Sequence, residues 1–249
     1  MNYYDWQLVK DHYYLGTRNG GPSKTLTNNV VVIHILLNDL ISNWMFPMHV
    51  SEYQTASSLM ALNLTLNAKI HNAPLAVQNT YCQATLPLVI DATGSWVPLL
   101  FNSLGFASAE AMQRKYEAEF NCEEAPIIIA VNRPMRSYAM MNNARSVFRA
   151  NDEWSVVFRQ NYGTFDMNVL THELLHQFGA VDYYYPDVTI QAAQRYFPQS
   201  VMLSGTEIDD LTRYLIGWTS DLSDAAISFL KETSSVNDLT IALAKARGV

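Results

Sequence analysis

The stretch His172-Glu173-Leu174-Leu175-His176-Gln177-Phe178-Gly179-Ala180-Val181-Asp182 decides how the rest of the chain is read. His172 and His176 stand four residues apart. On a helix that spacing stacks both imidazoles on one face, about one turn apart, so two ring nitrogens can reach a single Zn²⁺. Glu173 lies roughly 100° further round the helix. It is badly placed as a third ligand and well placed to touch a water activated by the metal. A catalytic zinc site needs three protein ligands and one open position. Asp182 is the candidate for the third. A straight helix would carry residue 182 away from the metal, and Gly179 supplies the interruption, because glycine takes the helix-ending left-handed conformation at little steric cost. The plain alternative, a surface helix with two solvated histidines, leaves Gly179 and Asp182 without a role.

The pattern HExxHxxGxx followed by Asp resembles the signature of the metzincin clan of zinc endopeptidases, most of which have His in the last place. The Asp version is similar to the snapalysin-type bacterial enzymes. The stretch Ser200-Val201-Met202-Leu203 extends the resemblance, since the clan carries a tight turn with a methionine beneath the zinc. Met202 would be that residue, with Gly179 as the other supporting position. One departure stands out: some members have a Tyr two residues after the methionine, and here the position is Ser204.

The resemblance implies an α+β fold: a mixed, mostly parallel twisted sheet with backing helices and an active-site helix, followed by a helical and irregular C-terminal part. It implies one catalytic Zn²⁺, a peptide or protein substrate, a monomer, and secretion. In that clan an antiparallel edge strand borders the cleft and pairs with the extended substrate, which is strand addition. Residues 145–149 would form that edge. Glu173 would act as general base, and Tyr183, Tyr184 or Tyr185 would donate a hydrogen bond to the oxyanion, unless the tyrosines merely pack or line a loop. Two rivals remain open. One is a gluzincin-like site with Glu207 as third ligand, although Glu207 also suits an ordinary helix N-terminus. The other is a zinc-containing peptide-binding protein that does not cleave.

Composition narrows the field. A formal net charge of −7 and the absence of any basic stretch exclude a nucleic-acid surface. No run of 18 apolar residues appears, so no membrane span is expected. The first residues, Met1-Asn2-Tyr3-Tyr4-Asp5-Trp6, lack a secretory signal, so secretion implies a leader already removed, with a cytoplasmic enzyme as the alternative. Cys82 and Cys122 fit a disulfide or two free thiols equally well.

Residues 1–27 read as an N-terminal extension, either a packed hairpin or the remnant of a pro-segment. Residues 28–249 read as a single catalytic domain, its N-terminal subdomain ending near 179 and its C-terminal subdomain covering 180–249. Residues 29–37 predict a strand buried on both faces, with His34 a satisfied core histidine. Ser51 is the expected N-cap of a backing helix through Ala56, Leu59, Met60, Leu62, Leu66 and Ile70, and a sequon at Asn63 falls inside it. Further strands are expected at 86–90 and 126–131, a helix at 108–120, and a hairpin pairing 146–149 with 154–159. Thr164 would cap the motif helix, with Asp166 in its first turn. Short helices are expected within 188–198, from 206 to about 216 closed by Gly217, from 224 to 232 after a Ser223 cap, and from 237 to 246.

Overall fold

A computed structural model describes residues 25–140, 153–160, 163–185 and 187–233. Its strands are β1 (Asn28–Asn38), β2 (Leu75–Thr85), β3 (Ile127–Pro134), β4 (Tyr138–Met140) and β5 (Trp154–Arg159). Its helices are α1 (Pro47–Ile70), α2 (Val97–Ser103), α3 (Ala109–Phe120), α4 (Met167–Gln177), α5 (Asp187–Tyr196), α6 (Asp210–Leu215) and α7 (Asp224–Thr233). The five strands form one sheet in the order β2-β1-β3-β5-β4. The first four are mutually parallel, and β4 runs antiparallel to β5 at one edge. The result is the expected mixed, mostly parallel sheet flanked by helices.

The central strands are apolar on both faces because both faces are covered. In β1, Val30, Val32 and Leu36 point to the side of α1 and α4, while Ile33, Ile35 and Leu37 point to the side of α2 and α3. In β3, Ile128 and Ala130 alternate with Ile127, Ile129 and Val131 in the same way. The α1/α4 side continues without a break into α5, α6 and α7, so residues on either side of position 179 share one core. Leu26 is fully buried in that core and hydrogen-bonds Ile216 and Trp218, which places the end of the expected extension inside the body of the fold. Among the described residues no helix is long and apolar enough to cross a membrane.

Several expectations are corrected. The second strand is β2, not 86–90. It is an edge strand, half exposed along most of its length, so it carries Gln78, Asn79, Thr80 and Gln83 in place of an apolar run. Leu86 and Ile90 are apolar because they pack into the core from a loop. α1 starts at Pro47, about one turn before Ser51, since proline is pre-organised for the first helical position. Its buried face is Tyr53, Ala56, Ser57, Met60, Ala61, Leu64 and Ala68, whereas Leu59, Leu62, Leu66 and Ile70 are exposed. The sequon at Asn63 does lie within this helix. α4 is capped by Asp166, whose carboxylate accepts from the Asn168 amide, rather than by Thr164. α6 starts at Asp210 behind an Asp209 cap, later than expected. α2 and β4 were not anticipated. β5 is the second arm of the expected hairpin, but its antiparallel neighbour is β4; residues 146–149, like 1–24 and 237–246, lie outside the described residues. Cys82 and Cys122 are free thiols.

His34 is fully buried and its two nitrogens are both used. Nε2 is 2.9 Å from the Asn79 amide oxygen, which only accepts, so Nε2 carries the proton and Nδ1 accepts from the Tyr53 hydroxyl at 2.7 Å. Burial pulls its pKa down from 6.5 to about 4, against the opposing bond to Asn79. An unfolded histidine takes up its proton near pH 6.5, while the folded one holds out to about 4. The unfolded state therefore binds more protons in that window, and stability falls as pH drops through it, by on the order of 3 kcal/mol at full extent. Urea midpoints between pH 7 and 4 are expected to fall less steeply for His34→Gln than for the wild type.

Candidate metal centre

α4 carries the motif, and the sheet fixes where α4 lies. The Ser155 hydroxyl of β5 donates to the Glu173 carbonyl at 2.6 Å. The Gln177 amide closes the start of β3: its oxygen accepts from the Ile127 N–H at 3.2 Å, and its nitrogen donates to the Ile127 carbonyl at 2.9 Å. A side chain thus stands where a neighbouring strand would otherwise pair.

The helix ends as the glycine requires. Gly179 has φ +94°, and the Ala180 amide donates back to the Leu175 carbonyl at 3.1 Å, closing a left-handed C-cap. The turn brings the Ala180 carbonyl to the His176 ring, whose Nδ1–H donates to it at 2.9 Å. His172 is oriented in the same manner, Nδ1–H donating to the Val201 carbonyl at 2.9 Å. That carbonyl belongs to the turn holding Met202, which is fully buried. The turn is tight enough that a Cβ on Gly205 would fall 2.0 Å from the Gln199 carbonyl oxygen, so glycine is required there.

The three expected ligands converge. The two Nε2 atoms are 3.1 Å apart, and Asp182 Oδ1 is 3.1 Å from each of them. Carbonyl oxygens only accept, so both Nδ1 atoms carry protons, and in the neutral rings both Nε2 atoms are bare lone pairs. Burial alone would raise the Asp182 carboxyl, but the two imidazoles beside it hold it well below the usual carboxylate range. Two imidazole nitrogens and a carboxylate oxygen therefore face one another at 3.1 Å, each ring held from behind through its Nδ1. Such a cluster is held together by a positive charge, either a proton shared between an imidazole and the carboxylate or a metal ion bound by all three. Tetrahedral ligands about 2.0–2.1 Å from one zinc stand about 3.3 Å apart. The observed triangle fits that donor set.

One buried carboxylate ties the ligand-bearing loops together. Asp209 accepts from the Tyr183 hydroxyl at 3.2 Å, the Ser200 hydroxyl at 2.6 Å, and both the amide and hydroxyl of Thr212 at 2.9 and 2.7 Å. Tyr183 follows Asp182 directly and its amide donates to the Met202 carbonyl at 3.0 Å, while Ser200 opens the methionine turn. Asp209 so fixes the loop after Asp182 against the segment that orients His172.

The cleft beside this cluster has a volume of about 550 Å³ and is walled by α4, the methionine turn and residues 135–137. Glu173 borders it, 5 % exposed, with Oε2 lacking a hydrogen-bond partner. Burial pushes its pKa up to about 8, with His172 and Arg136 opposing and Asp182 reinforcing.

The three tyrosines separate. Tyr183 is fully buried on Asp209 and cannot touch a substrate, and Tyr185 is 79 % exposed. Tyr184 lines the cleft, its ring 5.9 Å from that of His172 and nearly parallel to it. Its phenol, raised to about 12 chiefly by burial, stays protonated and engages Asp182. Ser204, at the position where some members of the clan carry a Tyr, also lines the cleft. Glu207 stands outside the donor cluster: it is exposed, and its backbone pairs with the methionine turn. Sequence reading missed Ser155, Gln177, Asp209 and Arg136. Only Asp209 had a local signal, as an N-cap residue before Asp210.

Metal binding measured against a chromophoric chelator is expected to be lost in Asp182→Ala and kept in Glu207→Ala. Asp209→Asn should weaken it by about 10- to 100-fold, the range for residues that orient ligands. Compared with known proteins, the chain matches no family model and no curated protein.

Proposed function

We propose that the chain is a zinc-dependent endopeptidase of metzincin type, with His172, His176 and Asp182 as the metal ligands. The observation that carries this reading is the convergence of two imidazole nitrogens and a carboxylate oxygen within 3.1 Å of one another, with the buried Glu173 beside them. A mostly parallel sheet with one antiparallel edge strand near the cleft supports it further.

When bound, zinc supplies the Lewis acidity that activates water and a peptide carbonyl. The protein's own groups do the rest. β4 offers backbone hydrogen bonds to an extended substrate, which it holds regardless of side chains. Glu173 Oε2 takes a proton from the attacking water as the C–O bond forms, and returns it to the nitrogen as the C–N bond breaks. The Tyr184 hydroxyl turns from Asp182 to the oxyanion and donates to it, filling the role that Ser204 cannot. The gluzincin-like alternative is disfavoured, because Glu207 is exposed and the third position of the triangle is already filled by Asp182.

Glu173→Gln is expected to bind zinc as the wild type does and to lose cleavage of a general protein substrate. Tyr184→Phe should lower kcat by about 10- to 100-fold with a smaller effect on KM, as for loss of an interaction made only in the transition state. Equal zinc content with no cleavage by the wild type would replace this reading with that of a zinc-holding peptide binder.

A further inference from the structure

Six arginines fall among the described residues. Five form ion pairs: Arg114 with Glu110 and Glu117, Arg133 with Asp39, Arg159 with Glu52, Arg195 with Glu232, and Arg213 with Asp210. Arg136 is the sixth. Among the described residues its partner is not a carboxylate but a phenol, and it is the arginine that lines the cleft.

Its placement is specific. Arg136 lies in the short link between β3 and β4, on the wall of the cleft that Glu173 also lines. The guanidinium sits 5.4 Å from the centre of the Tyr184 ring and donates to its hydroxyl at 3.2 Å. Tyr184 in turn stacks beside the ligand His172. The cation is thus held next to the reacting centre through an aromatic ring. A guanidinium has five N–H donors, and the bond to Tyr184 occupies one. Arg136 is exposed, so the others face the cleft and solvent. A planar fork of this kind matches a carboxylate in two-point fashion better than any neutral acceptor. The other charged groups on the described wall include two acids, Asp166 and Glu173. With a net charge of −7, the chain has no general attraction for acidic peptides. A preference for them would therefore come from this subsite alone.

We infer that Arg136 is a specificity-determining residue of the cleft, and that the favoured substrates carry a carboxylate side chain on a residue adjoining the scissile bond. The inference rests on the peptidase reading given above.

The test uses zinc-loaded wild type, Arg136→Gln and Arg136→Glu, with peptides in which each of the two residues on either side of the cleaved bond is in turn Glu, Gln or Lys. Within each enzyme, the ratio of kcat/KM for Glu over Gln cancels any general loss passed on through Tyr184. The wild type is expected to favour Glu about tenfold at one position, as for one charge-assisted contact. Arg136→Gln should bring that ratio near one, and Arg136→Glu should shift the preference to Lys. A wild-type ratio near one at every position, or a preference that survives Arg136→Gln, overturns the assignment. Zinc binding without cleavage of any peptide overturns instead the peptidase reading beneath it.

Discussion

Two imidazole nitrogens and a carboxylate oxygen, each 3.1 Å from the other two, need a positive charge, a proton or a metal ion, among them. Buried acceptors left without donors are costly, so a fold that brings three of them together must hold each from behind. The Val201 and Ala180 carbonyls orient the two rings, and the return from Gly179 puts Asp182 in place. Asp209 locks the loop after Asp182 to the methionine turn. Without these bonds the two rings and the carboxylate would not converge on one point.

The sheet serves the same constraint from the other side. Because β1, β3 and β5 are covered on both faces, they make a rigid base for α4, and Ser155 and Gln177 pin that helix by its backbone and its last turn. A ligand helix supported only by apolar packing could slide or rotate by a fraction of a turn. Hydrogen bonds to Glu173 and Ile127 remove that freedom, and they set the side chain of Glu173 beside the donor triangle.

What the sequence made legible was local. The spacing of His172 and His176, the stop at Gly179 and the reach to Asp182 all follow from helix geometry over eleven consecutive residues. The double-sided strands β1 and β3 were legible as unbroken apolar runs. β2 was not, because an edge strand half exposed on both faces carries no such run. α1 misled in a different way: its apolar residues fall on two opposite faces, and periodicity alone cannot say which is buried. The choice among Tyr183, Tyr184 and Tyr185 depended on a contact with Asp209, 26 residues beyond the first of them, and Arg136 is joined to Tyr184 across 48 residues. Pairings of that range leave no mark in local pattern.

Charge around the site connects Asp182 with the two residues that flank it. In the peptidase reading, a carboxylate as third ligand would leave the centre one unit less positive than three neutral histidines, and so less able to stabilise negative charge developing on a substrate oxygen. In the peptidase reading, that shortfall lies next to Tyr184, whose phenol stays protonated and directs its hydroxyl at the cluster. Arg136 sits against the same ring and bonds the same hydroxyl. A cation donating to a phenol makes that phenol a stronger donor in turn, since successive hydrogen bonds polarise one another. In that reading, the positive charge given up by having Asp182 in place of a histidine would be restored by Arg136 beside the Tyr184 ring. Asp182, Tyr184 and Arg136 thus form one electrostatic unit, and in the peptidase reading the pair of Tyr184 and Arg136 would supply what an Asp third ligand and a Ser at position 204 lack.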